Sequence, residues 1–218
     1  DAKKVTEIYK GTSDGEHRTP SMADPFYAPD DKSVVCLLDK SGWRQMHLLD
    51  GKGGERQLTF GEFETYPLQI SADGKGVLAT SSKEELSRAD VFRIDLASLE
   101  MRRLSTMDGV HTTPVFAHKF DRYGSIFSSW SQMREMVVHD GKQEQIVTDS
   151  HDKAKFWAMI KEKPTLFTYK NRHGDTIHGY QMVPKDMKPG EKLVPLREIT
   201  HDTGQLLAKK EPWPQGAD

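Results

Sequence analysis

The sequence predicts an all-β fold built from small antiparallel sheets, because one pattern of turn, strand and turn occurs three times. Each copy has a turn, a strand, a second strand that ends near Asp, a short turn and a closing Leu-Thr or its equivalent. The copies span Ala28–Gly61, Ser71–Gly109 and, more loosely, His118–Ser150. Their turn aspartates, Asp30, Asp73 and Asp121, are 43 and 48 residues apart. That period is typical of a four-stranded propeller blade, so we expect a partial β-propeller of about three blades.

The first copy contains short apolar runs rich in β-branched and aliphatic residues, which indicate buried strands. Lys40-Ser41-Gly42 and the Gly-rich stretch from Gly51 to Gly54 separate these runs as hairpin loops do. The predicted strands are Ser33–Asp39, Arg44–Asp50 and a closing segment at Arg56–Thr59.

The second copy follows the same plan and provides all four strands of a blade. Asp73-Gly74 is a strong turn signal, because glycine tolerates the positive φ that tight hairpins need. The polar stretch Lys83–Ala89 is long for a hairpin loop, and a helical turn fits there. The predicted strands are Thr65–Ile70, Gly76–Ser81, Asp90–Leu96 and Met101–Ser105.

The third copy predicts four more strands, and the repeat then stops. The strands of this copy are Thr113–Ala117, Ser125–Ser129, Glu135–His139 and Glu144–Thr148. Further strand-like segments follow at Lys155–Ile160, Thr165–Tyr169 and Asp175–Val183, and beyond Pro184 no period is sustained. We expect Trp43 and Trp130 to fill the wedges between neighbouring sheets.

Composition excludes several classes of function. Charged residues make up 29% of the 218 residues and the formal net charge is −2, so no basic surface for nucleic acid is expected. No apolar run approaches the roughly 18 residues of a membrane span, and the first residues do not form a signal peptide. Cys36, the only cysteine, lies in an apolar run and is expected to be a buried thiol, which leaves the compartment open.

The ordered motifs resemble the prolyl oligopeptidase family of serine peptidases, and most closely its dipeptidyl peptidase IV branch. The similar segments are Lys40-Ser41-Gly42-Trp43, Met46–Asp50, Gln57–Gly61 and Phe120–Met133. Phe167–Tyr169, His173-Gly174-Asp175, Ile177–Tyr180 and Pro184 resemble the entry into the family's hydrolase domain. The resemblance implies propeller blades over residues 1–154, strands that enter a truncated α/β-hydrolase domain over 155–195, and an irregular tail over 196–218.

By this resemblance, the chain is the propeller portion of a serine exopeptidase that gates and orients short peptides. The family's nucleophile lies in a Gly-x-Ser-x-Gly turn at the start of a helix, and we expect no such motif anywhere in this chain. We therefore expect the nucleophile to be absent, assign no catalytic residue, and expect a fragment of a longer protein. The implied partner is a peptide substrate, and a homodimer of the full-length protein is a further expectation.

Four residues are candidates for the substrate chamber. Phe26 and Tyr27 lie where this branch can place an aromatic lining, with ordinary packing between blades as the alternative. Glu84 and Glu85 form an acidic pair that can bind an ammonium group, with a solvated surface pair as the alternative. The acidic pair lies in a later blade than the family's amine-binding glutamates.

The nine histidines are predicted to lie on the surface or in loops, because no Ser or Cys elbow accompanies them. No His-x-His or HExxH spacing occurs, so neither a metal nor another cofactor is expected.

A second class of function competes with the peptidase: a non-catalytic TolB-like propeller that serves as a scaffold for other proteins. The segment from Phe167 to Pro184 discriminates between them. A scaffold should continue with further blades there, whereas a peptidase should leave the propeller.

Overall fold

The computed structural model describes Glu7 and residues 9–10, 22–71, 73–117, 122–150 and 163–181. Two compact units divide the chain, Asp1–Asp152 and Lys153–Asp218. The described secondary structure consists entirely of strands. The strands are β1 Met22–Tyr27, β2 Val34–Asp39, β3 Arg44–Leu49, β4 Glu55–Gln57, β5 Thr65–Ile70, β6 Gly76–Ser81, β7 Asp90–Asp95, β8 Met101–Arg103, β9 Val110–Phe116, β10 Tyr123–Ser129, β11 Gln132–His139, β12 Glu144–Ile146, β13 Thr165–Lys170 and β14 Thr176–Gln181.

The first unit contains three four-stranded antiparallel sheets, each formed by four consecutive strands. Their orders are β1-β2-β3-β4, β5-β6-β7-β8 and β9-β10-β11-β12, so every connection within a sheet is a hairpin. This is the arrangement of a propeller blade. The three repeats of the sequence are therefore three blade-like sheets, as predicted, and the described strands do not close into a ring.

The main core lies between the first and second sheets. It combines one face of each sheet, where alternate strand residues point the same way. Its fully buried members include Leu37 and Met46 from the first sheet and Phe92 and Ile94 from the second. Cys36 lies on the opposite face of the first sheet, with Leu38 and Leu49, and Tyr9 packs against that face. The prediction of a buried thiol at Cys36 is confirmed.

The closing Leu-Thr motif of each repeat has a structural cause. Leu58, Leu104 and Val147 each donate a backbone hydrogen bond to the third strand of their own sheet, at 2.7, 2.7 and 2.9 Å. The hydroxyl of the next residue then accepts a backbone N–H of that strand at 2.9, 3.2 and 2.8 Å. These hydroxyl groups belong to Thr59, Ser105 and Thr148. The motif therefore extends each short fourth strand and fixes the start of the connection to the next sheet.

The aspartates that end the third strands cap the hairpins that follow. Oδ1 of Asp50, Asp95 and Asp140 each accepts two backbone N–H groups of its turn at 2.7 to 3.0 Å. Such a carboxylate replaces the strand ladder with local hydrogen bonds, which is why Asp favours turns. The bonds lower the pKa of all three carboxyl groups.

The structure corrects several details of the sequence prediction. Strand β1, the first strand of the first sheet, had no predicted counterpart, because Asp24-Pro25 interrupts its apolar pattern. The loop at Lys83–Ala89 contains a turn closed by Arg88 N–H to Glu85 O at 2.9 Å and no helix. Trp130 is 43% exposed at a hairpin and does not fill a wedge. The predicted strand Lys155–Ile160 lies outside the described residues.

The described part of the second unit is a single hairpin. Strands β13 and β14 pair antiparallel from Thr165↔Gln181 to Lys170↔Thr176, and Gly174 adopts a positive φ in the turn between them. Both faces of the hairpin carry apolar side chains, and Leu166, Phe167, Tyr169 and Tyr180 are each more than 40% exposed. An isolated two-stranded hairpin is marginally stable in water, so this pair requires further packing.

Candidate functional site

Each sheet of the first unit has a buried polar residue in the first half of its third strand. Gln45, Asp90 and Glu135 recur at intervals of 45 residues and are at most 1% exposed. Each accepts the hydroxyl hydrogen of the closing residue of its own sheet. Each also holds groups beyond that hydroxyl. Gln45 donates to the carbonyls of Gly61 and Phe63 at 2.9 and 2.7 Å, and Glu135 accepts the Ser150 N–H at 2.9 Å. These residues therefore anchor the chain as it leaves each sheet.

In the second sheet this position is charged and is neutralised locally. Arg88 and Arg103 approach the fully buried Asp90 carboxylate at 2.8 and 2.9 Å. Asp108 joins the same two guanidinium groups at 2.7 and 2.9 Å. The Arg103 hydrogen bond lowers the pKa of Asp108 most strongly. A buried carboxylate is tolerated only when it is paired in this way, so the cluster stabilises the connection and leaves Asp90 with no charge to offer a ligand.

A second buried network joins the second sheet to the third. Oε2 of Glu144 accepts the backbone N–H groups of Thr106 and Met107 at 2.8 and 2.6 Å. Its Oε1 accepts the hydroxyl of Tyr123 at 2.6 Å. Desolvation, and then the Glu144 hydrogen bond, raise the pKa of Tyr123 well above its usual range. Glu144 therefore fixes the segment between β8 and β9 onto the third sheet.

This network contains a serine, a histidine and a carboxylate, but not in a catalytic arrangement. His111 Nδ1 lies 3.1 Å from Ser125 Oγ and 3.4 Å from Glu144 Oε1. In a catalytic triad the serine and the carboxylate bind different ring nitrogens, so that the histidine can pass a proton between them. Here both face Nδ1, and His111 and Ser125 are only 2% and 4% exposed. The arrangement cannot activate Ser125 or admit a substrate.

The prediction that histidines lie on the surface is wrong at three positions. His47, His111 and His139 are buried, and each lies within a strand. Desolvation lowers the pKa of His47 and His111, although a neighbouring carboxylate opposes the shift in both. His173 and His178 are exposed in or beside the β13–β14 hairpin, as predicted. The four remaining histidines, His17, His118, His151 and His201, lie outside the described residues.

The four predicted chamber residues fall into two separate places. Tyr27, at the end of β1, is 67% exposed, whereas Phe26 packs against the main core on the other face of the sheet. Glu84 is exposed and Glu85 half-buried in the loop between β6 and β7, where Glu85 Oε1 accepts the Ser87 hydroxyl at 2.7 Å. Tyr27 and Glu84 are thus both accessible, while Phe26 has a packing role.

The two places are at opposite ends of the strands. Arg44 at the start of β3 contacts Tyr66 at the start of β5, so these ends of the first two sheets coincide. Tyr27 ends the six-residue β1, whereas the loop with Glu84 follows Ser81, which pairs with Thr65 at the start of β5. At about 3.3 Å per residue, roughly 20 Å along the strand direction separates the two places. The structure therefore does not bring the aromatic and acidic pairs together.

One sequence feature was missed in the search for a nucleophile. Residues 11–15 read Gly-Thr-Ser-Asp-Gly and match the Gly-x-Ser-x-Gly spacing around Ser13. They lie outside the described residues and precede β1. In α/β-hydrolases the motif gains its function from a strand-to-helix turn, so the letters alone do not identify a nucleophile. The absence of a nucleophile from this chain stays a prediction.

Among the described residues, no group of three or more His, Cys, Asp or Glu side chains could hold a metal ion. The same residues include no helix with the length and apolar character needed to cross a membrane.

The fold defines the class of protein first. Three successive four-stranded antiparallel sheets are the repeating units of a β-propeller, and here a polar residue and a hydroxyl at equivalent positions anchor each sheet to the chain that leaves it. The chain belongs to the family described as the dipeptidyl peptidase IV (DPP IV) N-terminal region, which matches residues 4–134. The matched region includes Ser13, so the Gly-x-Ser-x-Gly letters fall within the propeller family region.

Solved structures support the fold. The chain is similar to the dipeptidyl peptidase 4 of Porphyromonas gingivalis, with a TM-score of 0.57 and 21% identity over 72% of this chain and 23% of that one. It is also similar to a puromycin hydrolase, with a TM-score of 0.60 and 20% identity over 81% of this chain and 28% of the other. For a mutant of puromycin hydrolase, the TM-score is 0.56 and the sequence identity is 19%, over 74% of this chain and 25% of the other. The chain thus spans about a quarter of the length of these proteins. A comparison with curated proteins found no match.

Proposed function

We propose that the chain is the propeller portion of a serine exopeptidase of the dipeptidyl peptidase type. In this role its sheets form part of a chamber wall that limits substrate size and orients short peptides. The observation that carries the proposal is the family match over residues 4–134, which covers all or part of each of the three blade-like sheets. The buried polar side chains of the sheets make hydrogen bonds to other groups of the fold. This structural role suits a chamber wall better than a catalytic centre.

The hairpin β13–β14 supports the second part of the proposal, that the chain leaves the propeller and enters an α/β-hydrolase domain. The described strands of this unit form one antiparallel pair with apolar groups on both faces. Apolar groups on both faces of a strand pair fit a position between two further layers, as in an α/β domain. We place the domains at 1–154, 155–195 and 196–218, with the nucleophile outside this chain and a homodimer formed by the full-length protein.

The chamber proposal makes Tyr27 a substrate-contacting residue, and a matched control tests it. Phe60 is 61% exposed and lies in the connection between the first two sheets. In the full-length protein that the proposal requires, Tyr27→Ala should raise KM for a chromogenic Xaa-Pro dipeptide severalfold with little change in kcat, because it removes ground-state binding. Phe60→Ala should leave both constants unchanged. Equal effects of the two substitutions would remove Tyr27 from the chamber.

The 218-residue chain alone should neither hydrolyse that substrate nor react with a fluorophosphonate probe. Labelling that disappears in Ser13→Ala would show that the Gly-Thr-Ser-Asp-Gly segment supplies a nucleophile after all. Labelling that survives this substitution would place a reactive serine elsewhere in the chain. Either result contradicts the proposal that the chain lacks its own nucleophile.

A scaffold function is the second candidate, and one observation favours it. One face of the third sheet leaves Val115, Met136, Val138 and Val147 between 39% and 70% exposed. Contiguous apolar groups on a sheet face are typical of a surface that another protein layer covers. A full-length protein that binds a protein partner through this face and shows no peptidase activity would support the scaffold.

A further inference from the structure

Among the described strands, the first strand of each blade-like sheet lies at the edge of its sheet. Strands β1, β5 and β9 each pair with one neighbour in their sheets. The free edge of such a strand presents main-chain donors and acceptors, and an extended peptide can add to it as a further strand. In the proposed chamber, these edges would meet a peptide substrate whose backbone is suited to that pairing.

Two of these strands carry the same irregularity at the same place. In β1, Asp24 and Pro25 together lie opposite Cys36, and in β9, Thr113 and Pro114 together lie opposite Ser125. Each is a two-against-one bulge. The residue before each proline has a positive φ, 49° at Asp24 and 47° at Thr113. That conformation is strained for these residues, above all for the β-branched threonine, so the bulges are maintained against a cost.

Strand β5 has a related device. Pro67 pairs with Ala79 and Gln69 with Leu78, which leaves Leu68 as the extra residue next to a proline. The bulges of β1 and β9 lie opposite the third residue of the strand that follows in their sheet, β2 or β10. The bulge of β5 lies between the positions opposite the third and fourth residues of β6. All three first strands of the described sheets therefore combine a proline with a bulge, which makes the combination a feature of the repeat.

Both elements act against strand addition. Proline has no N–H, so a strand that contains proline offers one backbone donor fewer for pairing. A bulge breaks the ladder and increases the local twist. The regular runs that remain on β1, β5 and β9 are only two or three residues long. At the start of β9 the edge is already occupied, because His111 N–H donates to Ala89 O at 3.0 Å.

The opposite edges of the same sheets are protected in another way. Strands β4, β8 and β12 have three residues each, and β4 and β8 also carry exposed charged side chains, those of Glu55, Arg56 and Arg102. A short charged edge strand offers too few hydrogen bonds to hold an added strand. Both edges of each sheet are therefore protected against strand addition. At one edge the fourth strand is short, and at the other edge the first strand carries a bulge and a proline.

We infer that the proline and bulge on β1, β5 and β9 keep the chamber wall from capturing peptide backbone. This inference rests on the proposed function and deepens it: the wall contacts the substrate through side chains, and the substrate does not add to a sheet. Backbone capture along an open edge is tolerant of sequence, so it would retain substrates and products alike. A closed edge lets short peptides pass.

The test restores an open edge and measures binding of a strand-forming peptide. One variant deletes Asp24 and carries Pro25→Val, and a second deletes Thr113 and carries Pro114→Val. Pro29→Val, in the exposed turn after β1, is the matched control. The probe is a fluorescein-labelled (Thr-Val)n peptide, compared with an analogue N-methylated at alternate residues. Repaired-edge variants should bind the unmethylated peptide about tenfold more tightly than the methylated one. The parent chain and Pro29→Val should not discriminate.

Two results would overturn the inference. The first is a parent chain that already discriminates between the two peptides as strongly as the repaired variants. The second is a repaired variant that folds, by circular dichroism, and shows no gain. If the deletions prevent folding, Pro25→Val and Pro114→Val alone decide, because each restores a backbone N–H to the first strand while the bulge stays. Discrimination should then rise above the parent, and no rise refutes the inference. Peptide binding requires no catalysis, so this outcome is independent of any failure of the peptidase assay.

Discussion

Removal of the Glu144 carboxylate should destabilise the contact between the second and third sheets more than any surface substitution. The side chain is fully buried and accepts three short hydrogen bonds, from the N–H groups of Thr106 and Met107 and from the Tyr123 hydroxyl, and a longer one from the Thr106 hydroxyl at 3.3 Å. Glu144→Ala leaves all three donors without this acceptor in a buried site. Each hydrogen bond to a charged group contributes about 1.5 to 3 kcal/mol, and the three are not additive. We therefore expect a loss of about 3 to 5 kcal/mol in the free energy of unfolding.

Glu144→Gln tests the same contacts with the shape preserved. Its amide oxygen can still accept the two N–H groups, and its amide nitrogen can donate to Tyr123, so the expected loss is about 1 to 2 kcal/mol. Glu62→Ala is the control, because Glu62 is exposed and its removal should change stability by less than about 0.5 kcal/mol.

Urea denaturation followed by tryptophan fluorescence measures these differences. With an m-value of about 2 kcal/mol/M, Glu144→Ala should lower the midpoint by about 1.5 to 2.5 M and Glu144→Gln by about 0.5 to 1 M. Hydrogen exchange should show lost protection at the amides of Thr106 and Met107 in Glu144→Ala and retained protection in Glu144→Gln. If Glu144→Gln and Glu144→Ala both unfold at the midpoint of Glu62→Ala, the network does not hold the two sheets together.

Three further predictions follow from the shifted pKa values. Burial raises the pKa of Cys36 to about 11, so a thiol reagent at pH 8 should label it only after unfolding, and rapid labelling of the folded chain would contradict its burial. Tyr123 should stay protonated through the ordinary tyrosine range in a 295 nm titration, and Tyr123→Phe should remove no titrating group below pH 12. Hydrogen bonds from Ser33 lower the pKa of Asp30 to about 2, so Asp30 contributes stability that is present above pH 4 and is lost as the pH falls toward 2. Asp30→Asn should flatten the acid dependence of stability in that window, and an unchanged slope would exclude the contribution.

The sequence alone was sufficient for the blade-like sheets. Gly-rich and Asp-containing turns separate apolar runs of strand length, and these local signals placed eleven of the strands of the first unit close to their observed bounds. The buried thiol at Cys36 followed from its apolar neighbours for the same reason. Strand β1 was not predicted, because a bulge with a proline interrupts the alternation of apolar and polar residues on which strand prediction depends.

The buried polar residues could have been found from the repeat but not from their own chemistry. Gln45, Asp90 and Glu135 stand 45 residues apart, and that interval was readable. The burial of these residues could not be read from the sequence, because it depends on which face of a strand meets the next sheet. The same reason explains His111, whose side chain lies beneath Glu144 and Ser125 only after two hairpins have folded.

The tertiary structure also decided how the candidate residues relate to one another. Phe26 and Tyr27 are neighbours in sequence, yet one enters the core and the other is exposed, because successive strand residues point to opposite faces. Glu84 lies at the other end of the strands from Tyr27, which no spacing along the chain could show. The sequence by itself thus determined the repeat, the sheets and their turns, which depend on local conformation. Only the packing of one sheet on another determined which polar side chains are buried as structure and which face solvent.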